Sequence, residues 1–184
     1  EGMYPEESLE AANIALHIPG EVVARAIDRM RFLVEIENKF YDGMYAFLKQ
    51  DLKVKGLVTG TIAPGPCALY IQSGMDYIGN HAYWQYPQYP EKPGDPEQWT
   101  VERKAMVDRS QEAVLPKLAA GRLEDKPFVV NEYNHPAPND FQAECVPMVA
   151  TFAAAQDWDG VWLFSYSHRA DSVDRRHFDS CFDI

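Results

Sequence analysis

Three things are scarce in this sequence of 184 residues: cysteine, positive charge and long apolar runs. The three cysteines, Cys67, Cys145 and Cys181, stand far apart and form no Cys-x-x-Cys pair, which argues against a disulfide framework and against a zinc site. The formal net charge of -11 leaves no basic stripe to meet phosphates, so we expect no nucleic-acid partner. No apolar run approaches the roughly 20 residues of a membrane helix, so we expect no membrane partner.

What is present fits one globular domain. Hydrophobic residues make up 46% of the chain and charged residues 24%, which is ordinary for a protein with a packed core. The aromatic content, with four Trp, ten Tyr and nine Phe, favours core packing over sugar-binding platforms on composition alone. We expect a single partial domain over residues 1–184, in which residues 1–20 are a loop or short helix.

A long helix is predicted from about Glu21 to Leu52. Its apolar residues recur at spacings of three and four and give one apolar face: Leu33, Ile36, Phe40, Met44, Phe47 and Leu48. Before it, Ser8 is placed to cap a short helix from Leu9 to Leu16.

Four short apolar segments are predicted to be strands, and helical patterns stand between them. We expect these strands to form a parallel sheet, because strands that alternate with helices specify one. A helix capped by Asp95 is expected to run to Ala120, and another from Asp140 to Gln156, with Pro147 in its first turns. The predicted strands are Lys55–Thr61, Met75–Trp84, Phe128–Val130 with Glu132 at its end, and Gly160–Tyr166.

The ends of the strands favour a barrel over an open sheet. No glycine-rich phosphate loop follows any strand, and each strand ends instead in polar or aromatic side chains. A complete (β/α)₈ barrel takes about 250 residues, so four strands predict the C-terminal half of one, strands five to eight.

Glu132 is the predicted centre of the site. It follows a buried strand at the carboxyl end, where parallel α/β folds place their chemistry. On the preceding strand, His81 and Tyr83 stand two residues apart and therefore point the same way. Tyr83 is placed to donate a hydrogen bond to Glu132 and keep it ionised.

The strand ends, taken in order, resemble those of the clan A glycoside hydrolases, the retaining cellulase- and mannanase-like barrels. Thr59-Gly-Thr61 is similar to the end of strand five, and Asn80-His-Ala-Tyr-Trp84 to the His-x-Tyr of strand six. Val130-Asn-Glu132-Tyr is similar to strand seven with its nucleophile. Trp162-Leu-Phe-Ser-Tyr166 is similar to strand eight, where a Trp commonly floors the sugar site.

This resemblance implies a glycosidase that cleaves O-glycosidic bonds of a polysaccharide or oligosaccharide by a retaining double displacement. Glu132 would be the nucleophile, no metal or cofactor would be needed, and a secreted or periplasmic location is favoured. The residues implied to contact the carbohydrate are His81, Tyr83, Trp84, Tyr133, Asn134 and Trp162.

One part of the family pattern is missing. The acid/base of the clan is usually the Glu of an Asn-Glu pair before the long helix, and no such pair stands between Glu1 and Pro19. We expect strands one to four and the acid/base to lie upstream, so that the isolated 184-residue fragment is inactive.

Two alternatives stay open. His81, Glu132 and His135 could be ligands of a metal-dependent barrel hydrolase, although Thr61 and Tyr166 add no ligand at other strand ends. The chain could also be a non-catalytic carbohydrate-binding remnant of a barrel. An upstream Asn-Glu after a fourth strand would favour the enzyme.

A half barrel leaves strand edges unpaired, and unpaired edges promote association. We therefore predict that the isolated chain dimerises, aggregates or is only marginally stable. Sedimentation velocity and chemical denaturation measure this directly, and a monodisperse monomer that unfolds cooperatively would contradict it.

Overall fold

The computed structural model describes residues 4–15, 23–62, 66–93, 95, 98–168 and 180–183. The chain divides into two compact units, Glu1–Gly56 and Leu57–Ile184, where the sequence predicts one domain. None of the helices in these ranges combines the length and the apolar character that crossing a membrane requires.

The first unit is built on a long helix. Helix α1 spans Val23–Ala46 and continues as a π-helical turn over Phe47–Asp51, which confirms the predicted helix; residues 21–22 lie outside the described ranges. The short helix expected after Ser8 is not formed over residues 9–15, which are turns and irregular backbone. Its last residue, Leu16, is outside the description.

An ion pair ties the N-terminal turns to α1. Both carboxylate oxygens of Glu7 accept from the Arg25 guanidinium, at 2.5 and 2.6 Å, and Arg25 also donates to the Ala15 carbonyl at 2.7 Å. The hydrogen bond from Arg25 is the main cause that lowers the pKa of Glu7 to about 2. The role of Glu7 is therefore structural: it anchors the N-terminal turns to Arg25 of α1.

The second unit contains a parallel three-stranded sheet. Strands β1 (Ile78–Tyr83), β2 (Phe128–Asn134) and β3 (Gly160–Leu163) lie in the order β1-β2-β3, so β2 is central. The helices of this unit are α2 (Pro66–Ser73), α3 (Val114–Ala120) and α4 (Cys145–Gln156), and a 3₁₀ turn over Gln142–Glu144 precedes α4. The expected mixed α/β class with a parallel sheet is confirmed.

The core lies between one face of this sheet and the helices. Its buried residues come from β1, β2, α3 and α4 and from the loops between them, including Trp158 just before β3. The other face is open and exposes a groove of about 600 Å³ that is lined by Tyr77, Val129, Asn131 and Trp162, among others. The large buried side chains of the core are Ile78, Trp84, Met106, Leu115, Leu118, Phe128, Val130, Tyr133, Val149 and Trp158.

A register break in β2 decides which side chains reach which face. Asn80 pairs with Val130, but the next residue, His81, pairs with Glu132, so Asn131 is an extra residue on β2. Val130 and Tyr133 both point into the core although they are three positions apart. The bulge therefore turns Glu132 away from the core and onto the open face.

The strand predicted over Lys55–Thr61 is not formed. This segment is held beside β1 mainly by side chains: Thr59 Oγ1 donates to the Tyr77 carbonyl at 2.8 Å, and Asp76 accepts from the Val58 N–H at 2.8 Å. Polar side chains replace the backbone ladder that a strand would need.

Gln72 on α2 completes this replacement. Its amide oxygen accepts from the Gly79 N–H at 2.6 Å, and its amide nitrogen donates to the carbonyls of Gly79 and Thr61 at 3.0 and 2.6 Å. The side chain is buried, and it satisfies the backbone of β1 where a neighbouring strand would otherwise do so.

The helix predicted from Asp95 to Ala120 is wrong over most of its length. Helix α3 starts only at Val114, residues 98–113 contain no helix, and Pro96 lies outside the description. Tertiary contacts override the helical pattern: the Met106 N–H donates to Glu144 at 2.7 Å, and Met106 is buried in the core.

The other predicted elements are confirmed with changed bounds. Strand β1 is shorter than Met75–Trp84, β2 extends past Glu132 to Asn134, and β3 ends at Leu163 rather than Tyr166. Pro147 lies in the first turn of α4. The backbone N–H groups of a first turn have no acceptor within the helix, so a proline costs no helical hydrogen bond there.

We predict that Gln72→Met lowers the free energy of unfolding by about 2–6 kcal/mol. Met has a similar volume but leaves the backbone N–H and C=O of Gly79 buried without partners, and each such group costs about 1–3 kcal/mol. Urea denaturation followed by circular dichroism measures the change. Gln111→Met, at an exposed position, is the matched control, and equal stability of the two variants would contradict the prediction.

Candidate active site

A carboxylate and a phenol meet at the carboxyl edge of the sheet. The Tyr83 hydroxyl, on the last residue of β1, donates to Oε2 of Glu132 on the neighbouring strand β2. Both side chains are half-buried. Burial is the main cause, and the bond to Glu132 the next, that raises the pKa of Tyr83 above its ordinary value. Tyr83 therefore stays a hydrogen-bond donor to Glu132 throughout the physiological pH range.

His81 lies beside this pair. It is the register partner of Glu132, and its ring centroid is 6.1 Å from that of Tyr83. Its Nδ1 is buried and has no hydrogen-bond partner among the described residues. The sequence prediction that brings His81, Tyr83 and Glu132 together is confirmed.

Three aromatic rings surround the phenol that binds this carboxylate, and together with it they form what we call the aromatic cluster: Tyr83, Tyr86, Phe164 and Phe182. The ring of Tyr83 is 4.7 Å from Phe182, 5.6 Å from Tyr86 and 6.2 Å from Phe164, centroid to centroid. Phe164 follows β3 directly, and its peptide bond to Ser165 is cis. The cluster gives the site an apolar wall beside an acidic group.

The Asn134 side chain forms hydrogen bonds with the backbones of two residues of the aromatic cluster. Its side-chain nitrogen donates to the carbonyls of Phe164 and Phe182 at 2.7 and 2.6 Å, and its oxygen accepts from the His135 N–H at 2.7 Å. The side chain is only 1% exposed. Asn134 therefore positions the backbones that carry Phe164 and Phe182. Its buried side chain cannot reach a ligand, so the predicted contact with carbohydrate is wrong.

Trp84 and Tyr133 are likewise structural in this fold. Trp84 is 2% exposed, lies in the core and donates its indole N–H to the Lys104 carbonyl at 2.8 Å. Tyr133 is fully buried, and its hydroxyl lies 2.9 Å from Nε2 of His135. Their predicted role in carbohydrate binding is wrong because the core, and not the site, surrounds their rings.

Trp162 is exposed and lies on the open face of the sheet. It lines the groove there with Asn131, and the pairing of β3 with β2 on either side of the bulge puts Trp162 next to Asn131 and Glu132. The prediction that Trp162 contacts carbohydrate therefore stays a prediction. Phe164 follows Trp162 by two residues on the same face and contacts Tyr83, and alternation along β3 could have found it.

Phe182 had no such signal in the sequence. It is 18 residues beyond Phe164 and reaches the cluster through long-range backbone bonds that no local pattern specifies.

The metal-ligand set His81, Glu132 and His135 is not assembled. In the described part of the chain no three His, Cys, Asp or Glu side chains are placed to hold a metal ion. His135 points into the core toward Tyr133, so it is separated from the open face that carries His81 and Glu132.

This arrangement can support a nucleophilic carboxylate. A hydrogen bond from Tyr83 orients the Glu132 carboxylate, while the aromatic faces around Tyr83 can stack on an apolar ligand surface. A scan of protein-family models, a search of curated proteins and a search of solved structures each give no match to this chain. The site must therefore be judged by its own geometry.

We predict a pH-dependent stability term from His135. Burial lowers the pKa of its imidazole to about 4, against 6.5 for the ordinary residue. Between these values the unfolded state binds the proton more readily, so the free energy of unfolding falls as the pH drops from 6.5 to 4. The term amounts to roughly 3 kcal/mol and changes no further below that range.

Urea denaturation of the wild type and of His135→Gln across this range measures the term. Gln keeps an acceptor for the Tyr133 hydroxyl but does not titrate, so the slope with pH should flatten. Tyr133→Phe, which leaves the buried imidazole in place, should keep the steep slope. Equal slopes in wild type and His135→Gln would contradict the assignment.

Proposed function

We propose that the chain is part of a retaining glycoside hydrolase that cleaves O-glycosidic bonds of a polysaccharide or oligosaccharide. The observation that carries the proposal is the hydrogen bond from Tyr83 to Glu132 at the carboxyl ends of adjacent parallel strands. This is where the resemblance to the clan A enzymes puts the nucleophile and its tyrosine partner. The aromatic cluster adds the apolar surface that sugar rings stack on.

In the proposed reaction Glu132 attacks the anomeric carbon. The bond from that carbon to the leaving oxygen breaks, the acid/base gives its proton to that oxygen, and a covalent glycosyl ester forms on Glu132. Water then attacks the same carbon, loses a proton to the acid/base and releases the carboxylate. The hydrogen bond from Tyr83 keeps the carboxyl group of Glu132 in one orientation during both steps.

The finer fold that goes with this function is the second half of a (β/α)₈ barrel. Two features support it: the strands neighbour each other in chain order, and the segment 57–61 lies beside β1 on the side away from β2. An open doubly wound sheet instead reverses its strand order at a switch point. The open face with Trp162 would then line the barrel interior.

We further propose that the acid/base comes from outside these 184 residues. A retaining mechanism needs a second carboxyl group about 5–5.5 Å from the first. The family pattern puts it before the long helix, and residues 1–19 contain no Asn-Glu pair.

A carbohydrate-binding remnant is the second candidate. The aromatic cluster favours it, because stacking on sugar rings needs no acid/base. Binding of saccharides by the protein from the complete gene, with no hydrolysis and no covalent adduct, would establish it in place of the enzyme.

We predict that Glu132 can be trapped as a glycosyl ester. The probe is a panel of dinitrophenyl glycosides in which fluorine replaces the hydroxyl next to the anomeric carbon. The dinitrophenolate leaves without a proton, while the fluorine slows release of the ester, so the adduct accumulates. Peptide mass spectrometry of the protein expressed from the complete gene should find the added sugar on Glu132.

Two variants control the labelling. Glu132→Gln should take up no label and should lose hydrolysis by several orders of magnitude, whereas Glu124→Gln, at an exposed position, should behave as the wild type. A label on another carboxylate, or hydrolysis that is indifferent to Glu132→Gln, would overturn the assignment.

We predict that Tyr83→Phe lowers kcat/KM about 10- to 150-fold. A hydrogen bond to a charged group contributes about 1.5–3 kcal/mol, and that free energy sets the range. Steady-state hydrolysis of aryl glycosides measures it, with Tyr70→Phe, at an exposed site on α2, as control. Activity within twofold of the wild type would mean that the bond does not contribute to catalysis.

A further inference from the structure

We propose that Phe182 is a ligand-contacting residue that sets substrate preference at this site, and that Ser180–Asp183 is the segment that carries it there. The inference rests on the proposed function. The Phe182 ring is central to the aromatic cluster: its centroid is 4.7 Å from Tyr83, 5.7 Å from Tyr86 and 5.8 Å from Phe164. It therefore covers the phenol that orients Glu132.

The backbone of this segment is attached to the ends of β2 and β3. The Phe182 carbonyl accepts from the Ser165 N–H at 2.8 Å and from the Asn134 side chain at 2.6 Å. One residue earlier, the Cys181 carbonyl accepts from the Ala137 N–H at 2.8 Å, and the Cys181 side chain is buried.

The next residue adds a further attachment. Oδ1 of Asp183 accepts from the His168 N–H at 3.0 Å and lies 2.5 Å from the His168 ring. All these bonds use backbone atoms or side chains other than the Phe182 ring. Truncation of the ring should therefore leave the segment where it is, which makes Phe182 a position that can be tested by substitution.

The chemical character of the aromatic cluster indicates which kind of ligand it contacts. Phe164 and Phe182 are half-buried and carry no polar atom, while Glu132 and Tyr83 supply the polar groups on the adjoining side. A ligand that fits has one apolar face and one reactive polar edge, as a pyranose ring has with its C–H face and its anomeric carbon. We assign Phe182 to the C–H face of a pyranose ring next to the bond that is cleaved.

The first arm of the test measures binding. The protein expressed from the complete gene is titrated by calorimetry with cello-, manno- and xylo-oligosaccharides, as wild type, Phe182→Ala, Phe182→Leu and Phe141→Ala. An aromatic face contributes about 0.5–1.5 kcal/mol beyond its apolar area, so Phe182→Ala should weaken binding of the best-bound saccharide by at least about 2- to 12-fold. Leu restores apolar volume but no flat face and should recover only part of the affinity.

Phe141→Ala is the matched control, because Phe141 is also partly exposed and lies in the same unit but outside the cluster. Its affinity should equal that of the wild type, and circular dichroism shows whether each variant keeps the native fold.

The second arm needs no saccharide. Tetranitromethane nitrates accessible tyrosines, and peptide mass spectrometry gives the rate at each one. Removal of the Phe182 ring should raise the nitration rate of Tyr83 several-fold and leave that of the exposed Tyr70 unchanged.

The outcomes separate the two proposals. Unchanged nitration of Tyr83 in Phe182→Ala would show that the ring does not cover the site, and unchanged affinity for a saccharide that binds the wild type would show that it makes no ligand contact. Either result overturns the inference and leaves the proposed function standing. Failure of the wild type both to bind any of the saccharides and to hydrolyse aryl glycosides overturns the proposed function and the inference together.

Discussion

The extra residue in the central strand is the constraint on which the candidate site depends. Strand β2 pairs on both sides, and its register against β1 slips by one residue at Asn131. Without the slip, strict alternation would send Glu132 into the helix layer with Val130 and expose Tyr133. With it, an apolar ring fills the core and a carboxylate faces Tyr83. The extra residue therefore lets one strand bury Val130 and Tyr133 in the core and still present Glu132 on the open face.

The free edge of β1 shows how the fold maintains the sheet where no regular strand pairs. Gln72 satisfies the N–H and C=O of Gly79 with one buried amide, and Thr59 and Asp76 bond across the same gap. These bonds satisfy the edge of β1 that faces away from β2, while the pairing of β1 with β2 sets the register that brings Tyr83 beside Glu132.

The site also depends on a polar residue beneath it. Asn134 stands two positions after Glu132 and joins two segments that are distant in the chain, those of Phe164 and Phe182. Because the Asn134 side chain is buried, its loss would remove the side-chain donor to the Phe164 carbonyl, whereas the Phe182 carbonyl would keep its bond from the Ser165 N–H. The aromatic cluster is thus positioned by main-chain anchors, which leaves the rings themselves able to face a ligand.

The sequence by itself determined the α/β class, the long N-terminal helix, the approximate strands around Glu132 and the pairing of Tyr83 with it, because these follow from local periodicity and from adjacency of successive strands. It could not determine that residues 98–113 lack a helix or that Gln72 replaces a strand, since those depend on partners distant in the chain. Only the tertiary structure decided the bulge at Asn131, which reverses side-chain parity without any change in composition. It likewise decided that Trp84 and Tyr133 belong to the core while Phe164 and Phe182 pack around Tyr83, because burial depends on contacts between residues that are distant in the chain.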